Sequence, residues 1–210
     1  VSLIRRAIQL NSGNGNYYNN LGVTLRDQGK PKEAIECYRK AMELIPDYPE
    51  AYINLGMALK DLGKHDQAIE AYQKLLEIRP NFPEAYNSMG LVLKEQGKFN
   101  EAIDAYRKSL EMNPKSADAY IGIGNALKSQ GRVDEAIASY QKALEINPQF
   151  AEVYNNMGNA FRDKSMAGKA IRYYQKAVEI KPEFAEAYSN IGVAMNDQRS
   201  EERRVGKECA

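Results

Sequence analysis

The chain has 210 residues, 43% of them hydrophobic and 27% charged, with 29 Lys and Arg against 28 Asp and Glu. That balance argues against a nucleic-acid partner, which needs a cationic excess to displace counterions from phosphate. No apolar run is long enough to span a bilayer. Two distant cysteines, Cys37 and Cys209, and one histidine, His65, leave neither a disulfide framework nor a zinc site.

The chain repeats itself. Tyrosine recurs every 34 residues at Tyr18, Tyr52, Tyr86, Tyr120, Tyr154 and Tyr188. Glycine follows four places later each time, from Gly22 to Gly192. Alanine (Ala34, Ala68, Ala102, Ala136, Ala170), a second tyrosine (Tyr38, Tyr72, Tyr106, Tyr140, Tyr174) and a closing proline (Pro46, Pro80, Pro114, Pro148, Pro182) keep the same step. A period of this length marks a stack of small structural units.

In chain order, residues 1–14 read as the second helix of a truncated unit, with Ile4 in the column of the second tyrosines and Ala7 one period before Ala41. Five full units follow at 15–48, 49–82, 83–116, 117–150 and 151–184, then a first helix at 185–198. Within a unit, Tyr52, Leu55, Gly56 and Leu59 form one helical stripe, and Ala68, Tyr72 and Leu75 form another. In the first full unit this predicts helices near 16–28 and 32–45. Gly63 supplies the turn between the two helices. Asp66, Asn100 and Asp134 are placed to cap the second helices, and Pro80 ends its unit. Small residues suit close helix crossings, so Gly56 is expected to face Ala68, with the tyrosines filling the space between neighbouring units. Unit five differs: Ser165 replaces the turn glycine and Gly168 lies just inside the next helix, which predicts a softer turn.

An aromatic-x-x-Leu-Gly start, Ala-x-x-x-Tyr in the second helix and a final proline at this period resemble the tetratricopeptide-repeat (TPR) family over residues 1–198. The resemblance implies an all-α, right-handed solenoid of antiparallel helix pairs, with first helices lining a concave face and nearest-neighbour stacking supplying stability. It further implies a non-catalytic scaffold without cofactors, which binds a protein or extended peptide in the groove.

The column opposite the Tyr/Leu/Gly stripe holds Asn20, Asn54, Ser88, Gly122, Asn156 and Asn190. Six residues on runs a basic column, Arg26, Lys60, Lys94, Lys128 and Arg162, followed by Asp27, Asp61, Glu95, Ser129 and Asp163. The predicted peptide-binding residues are therefore Asn20, Asn54, Asn156 and Asn190 with those five cations. A carboxamide carries both a donor and acceptor, and suits a peptide backbone. The carboxylate clamp of chaperone-binding TPR proteins is excluded, because Asn19, Val23, Asn54, Glu84 and Ser88 would fill its places without the lysines. The Asn ladder resembles the TPR half of O-linked N-acetylglucosamine transferases, which gives the alternative reading: the substrate-recognition arm of a larger glycosyltransferase. His65 reads as a turn residue and Cys37 as small packing. The compartment stays open, since the first residues already lie inside a repeat.

At Arg199 the register stops. Residues 199–209 read back through the genetic code as a string that looks like translated sequencing adapter, so 199–210 is expected to be a non-native tail that contributes nothing to folding. That tail holds four basic and three acidic residues, which leaves the repeats without net charge. Ile191, Gly192 and Met195 then lack a covering second helix, and self-association through uncapped ends is expected.

Overall fold

The computed structural model describes the backbone of residues 1–208 and the side chains of residues 1–200. Cys209 and the end of the tail lie outside them. All twelve elements among the described residues are α-helices, and they fall into two compact units. The first unit, Val1–Pro114, contains α1 (Ser2–Leu10), α2 (Gly15–Asp27), α3 (Pro31–Leu44), α4 (Pro49–Asp61), α5 (His65–Ile78), α6 (Pro83–Glu95) and α7 (Phe99–Met112). The second, from Lys115 onward, contains α8 (Ala117–Ser129), α9 (Val133–Ile146), α10 (Ala151–Asp163), α11 (Ala167–Ile180) and α12 (Ala185–Glu208). In each unit an even-numbered helix packs on the following odd one to make a pair, and successive pairs stack.

The helix starts have local causes. Pro31, Pro49 and Pro83 stand in the first turn, where a missing N–H costs nothing. Asn14 caps α2 by accepting the Asn16 N–H at 3.0 Å, and Ser116 caps α8 by accepting the Ala119 N–H at 3.3 Å. Asp66, Asn100 and Asp134 are not caps, contrary to expectation. Their helices begin at His65, Phe99 and Val133, behind Lys64, Lys98 and Arg132, which make no side-chain cap. The backbone has already closed the turn there, with the Lys64 N–H bonded to the Leu59 carbonyl at 2.9 Å. Asp66 instead accepts the Gln96 side-chain amide at 2.8 Å, and Asp134 pairs with Lys164.

The turn in repeat five keeps the shape of the others. Gly131 sits at φ 75° and Ser165 at φ 55°, and both turns close with the same bonds: Arg132 N–H to Leu127 at 3.0 Å, Met166 N–H to Phe161 at 2.9 Å. The serine holds a left-handed conformation that costs an L-residue roughly 1–2 kcal/mol.

The glycine column meets the second tyrosine, not the alanine. A Cβ added at Gly56 would lie 2.3 Å from the Tyr72 ring, and the same collision recurs at 2.5 Å for Gly22 on Tyr38 and 2.4 Å for Gly158 on Tyr174. The ring therefore lies flat on bare backbone within its own repeat rather than between repeats. Tyr38, Tyr140 and Tyr174 are fully buried and Tyr72 and Tyr106 nearly so. A glycine inside a helix costs about 1 kcal/mol relative to alanine. Burying a large side chain against it returns about 1.5–3 kcal/mol. Burial pushes the Tyr38 and Tyr174 hydroxyls up to about 12 and moves Tyr72, Tyr106 and Tyr140 in the same direction.

The last helix departs from the expected boundary. It was expected to end at Gln198, and it runs to Glu208. Arg199 occupies the column of Gly29, Gly63, Gly97 and Gly131, so no left-handed residue turns the chain there. The following Glu and Arg residues are good helix formers. On α12, nothing lies within 4 Å of the Cβ position of Gly192, and Tyr188, Val193 and Met195 are 53%, 44% and 44% exposed.

Candidate peptide-binding face

The first helices α2, α4 and α6 in one unit, and α8, α10 and α12 in the other, carry the predicted binding columns. Asn54, Asn156 and Asn190 are half-buried and Asn20 is exposed. Two of the four are held by a second asparagine that spacing alone did not single out. Asn54 donates Nδ2–H to Oδ1 of Asn19 at 3.0 Å, and Asn190 donates to Oδ1 of Asn155 at 2.9 Å. The two acceptors are almost wholly buried, Asn19 at 6% and Asn155 at 2% exposure. Asn19 is hydrogen-bonded in turn to the Tyr48 hydroxyl, and Asn155 donates to Glu186 at 3.0 Å. Each lock spans 35 residues, one repeat plus one position, and the two stand four repeats apart in sequence. Between them Ile53 and Ile121 replace the acceptor, and Asn87 keeps it but finds Gly122 one repeat and one position on, which breaks the ladder. Asn156 leans instead on Asn125 at 3.4 Å, whose Oδ1 also accepts the Tyr140 hydroxyl at 2.8 Å.

Most of the predicted cations are already engaged. Arg26 pairs with Asp61 at 3.9 Å, Lys60 with Glu95 at 3.6 Å and Lys128 with Asp163 at 3.5 Å, each across one repeat. Lys94 and Arg162 make no ion pair among the described residues. In the acidic column one repeat on from Lys94, Ser129 stands in place of an acid. The partly exposed pairs contribute only about 0–1 kcal/mol each, yet they fix the basic column along the stack. Two acids that stand two residues before a first tyrosine, Glu152 and Glu186, are hydrogen-bonded as well. Lys181 donates to Glu152 at 2.8 Å and holds its carboxyl below the usual range.

Comparison with known families accounts for this layout. Profiles described as TPR repeat match residues 90–131, 124–165 and 158–198, and others described as tetratricopeptide repeat match 13–81 and 71–104. The chain belongs to the tetratricopeptide-repeat family. Among solved structures it is similar to MamA, at 30% identity over 82% of this chain and 94% of that one, with a TM-score of 0.65. YrrB, described as a TPR protein with an unusual peptide-binding site, matches at 24% identity over 89% and 96%, with a TM-score of 0.61. A TPR protein from Parabacteroides merdae ATCC 43184 matches at 24% identity over 95% and 79%, with a TM-score of 0.78. The last two, below 25% identity, speak for the fold alone. No curated protein matches the sequence.

In this TPR array the remaining candidates, His65 and Cys37, lie at an inter-helix turn and in a second helix. His65 lies 3.6 Å from Glu95 at the turn, and Cys37 is half-buried, its thiol pushed up by burial. Among the described residues no His, Cys, Asp and Glu cluster could hold a metal, and no helix is long and apolar enough to cross a membrane. The residues that sequence reasoning missed are Asn19 and Asn155. Their signal was present as a 35-residue spacing to Asn54 and Asn190, but a search in steps of 34 passes over it.

Proposed function

We propose that this chain is a peptide-binding scaffold that holds an extended segment of another protein along its first helices. The observation that carries the reading is the pair of asparagine locks. Asn19 and Asn155 orient Asn54 and Asn190 by taking one N–H each, which leaves the Oδ1 and a second N–H of each carboxamide for a peptide backbone. Asn20 and Asn156 extend the same column, and Lys94 and Arg162 are its unpaired cations. The peptide-binding site described for YrrB agrees with this use of the fold. The matched families and structures lend no support to an arm of a larger glycosyltransferase.

Linear peptides selected from a random library against the 210-residue chain would be measured by fluorescence anisotropy against wild type and an Asn20, Asn54, Asn156 and Asn190→Ala variant. Each neutral hydrogen bond contributes about 0.5–1.5 kcal/mol, so the variant should bind at least roughly tenfold more weakly at unchanged helicity. Equal affinity would remove the asparagine column from the site.

A further inference from the structure

Repeat five differs from its neighbours at four columns on the side away from the asparagines. Lys169 stands where the other repeats have Glu33, Gln67, Glu101 and Glu135. Arg172 stands where they have Glu36, Glu70, Asp104 and Ala138. Tyr173 replaces the small residues Cys37, Ala71, Ala105 and Ser139, and Phe161 on α10 replaces a run of four leucines, from Leu25 to Leu127. Charge and size change together, in one place.

These residues meet. Phe161 stacks on Tyr173 with centroids 5.0 Å apart and planes 11° apart, and Tyr173 continues to Tyr154 at 6.4 Å. Lys169 lies over the Phe161 ring at 5.6 Å. In repeats three and four the cation of the Lys176 column covers the first tyrosine, Lys108 over Tyr86 and Lys142 over Tyr120, both at 5.7 Å. In repeat five Tyr173 stacks on Tyr154 instead, and Lys176 makes no such contact. Tyr154, Lys169, Arg172, Tyr173 and Lys176 line a cavity of about 370 Å³. The corresponding groove on α7 is lined by Glu101 and Asp104 beside Lys108, and the one on α5 by Glu70 beside Lys74. Only the groove on α11, among these three, is lined by cations without an acid. Lys169, Arg172 and Lys176 make no ion pair among the described residues, and the last two are like charges at i and i+4, which costs the helix a few tenths of a kcal/mol. Against that cost the fold gains the contact of Lys169 with the Phe161 ring and no ion pair among the described residues.

We propose that this groove binds an acidic segment of another protein, with an apolar or aromatic side chain laid on Tyr154 and Tyr173 and carboxylates along α11. The spacing selects a peptide over a small anion. Residues at i, i+3 and i+7 on one helix face spread their charges over about 10 Å, whereas a phosphate needs donors that converge on one point. Tyr154 precedes Asn156 by two residues, about 200° around α10, so this site and the asparagine face stand or fall separately.

The test uses the whole chain and a fluorescent peptide of alternating Glu and Gly around a central Trp, with a Gln-for-Glu analogue as control. The acidic peptide should bind, weaken with salt, and bind at least roughly tenfold more tightly than the analogue. Lys169→Glu with Arg172→Glu, which installs the Glu33 and Glu36 pair of repeat one, should weaken it at least roughly tenfold. Phe161→Leu with Tyr173→Ala should weaken it about threefold or more at unchanged helicity. The Asn20, Asn54, Asn156 and Asn190→Ala variant should bind it as wild type does. If the double charge reversal fails to fold, Arg172→Ala, which copies the Ala138 of repeat four, carries the test with an expected loss of about threefold. Peptide affinity indifferent to the charge reversals overturns the proposal. So does binding of inorganic phosphate, phosphatidylserine vesicles or an RNA oligonucleotide that depends on Lys169 and Arg172 while the acidic peptide does not bind.

Discussion

The two units use the same ring on the same glycine but finish it differently. In the second unit the Tyr140 and Tyr174 hydroxyls donate to Oδ1 of Asn125 and Asn159, both at 2.8 Å. In the first unit that column, fifteen residues before the tyrosine, holds Val23, Met57 and Leu91. There the buried Tyr38 hydroxyl has no partner among the described residues, while Tyr72 reaches Ser88 instead. Ring-on-backbone packing is thus the shared requirement, and the hydroxyl's partner is free to vary. That column is apolar in the first unit and carries an amide, Asn125 or Asn159, in the second. Leu91 is 37% exposed there.

The largest expected effect tests the shared part. Each second tyrosine has its folded pKa raised above the ordinary 10.0, to about 12 for Tyr38 and Tyr174. A raised folded pKa means the contribution to stability is complete below pH 10 and is lost as pH climbs from 10 through about 12. Both units should unfold together in that window, followed by circular dichroism and tyrosinate absorbance. A fold in which Tyr38, Tyr72, Tyr106, Tyr140 and Tyr174 titrate near pH 10 without melting would break the common mechanism.

Smaller effects separate the units. Tyr140→Phe removes the 2.8 Å hydrogen bond to Asn125 and leaves its Oδ1 only the longer one from Asn156, at 3.4 Å, which should cost the second unit about 1 kcal/mol in urea denaturation. Tyr38→Phe removes a buried hydroxyl that has no partner among the described residues, and should be neutral or stabilising by a similar amount. Equal losses at both sites would mean that the hydroxyls act alike. Val23→Asn sharpens the point by giving Tyr38 the acceptor that Tyr140 has. A gain of up to about 1 kcal/mol is expected, and no gain would show that the column does not reach the hydroxyl.

The weakest expected effect concerns α12, where Gly192 has no ring over it. Its exposed Tyr188, Val193 and Met195 should give the chain a weak, concentration-dependent self-association in sedimentation velocity. Val193→Glu with Met195→Glu should abolish it, and a wild-type chain that stays monomeric at high concentration would remove the idea.

The helix pairs were legible from the residues alone. The first full repeat was expected at 16–28 and 32–45 and forms at 15–27 and 31–44, because apolar periodicity, proline and glycine act within a few residues of themselves. The second tyrosines were legible as packing residues for the same reason. What they pack against was not: the approach of Tyr72 to Gly56 depends on how closely two helices cross. The asparagine locks, the pairing of Arg26, Lys60 and Lys128, and the aromatic stack of repeat five depend on side-chain reach between helices that sequence order does not place. A column of letters carries residue type and helical angle; it carries no distance between helices. Only the tertiary structure decided that Asn54 is held by Asn19, that three of the five predicted cations are already neutralised, and that Lys169, Arg172 and Lys176 are not.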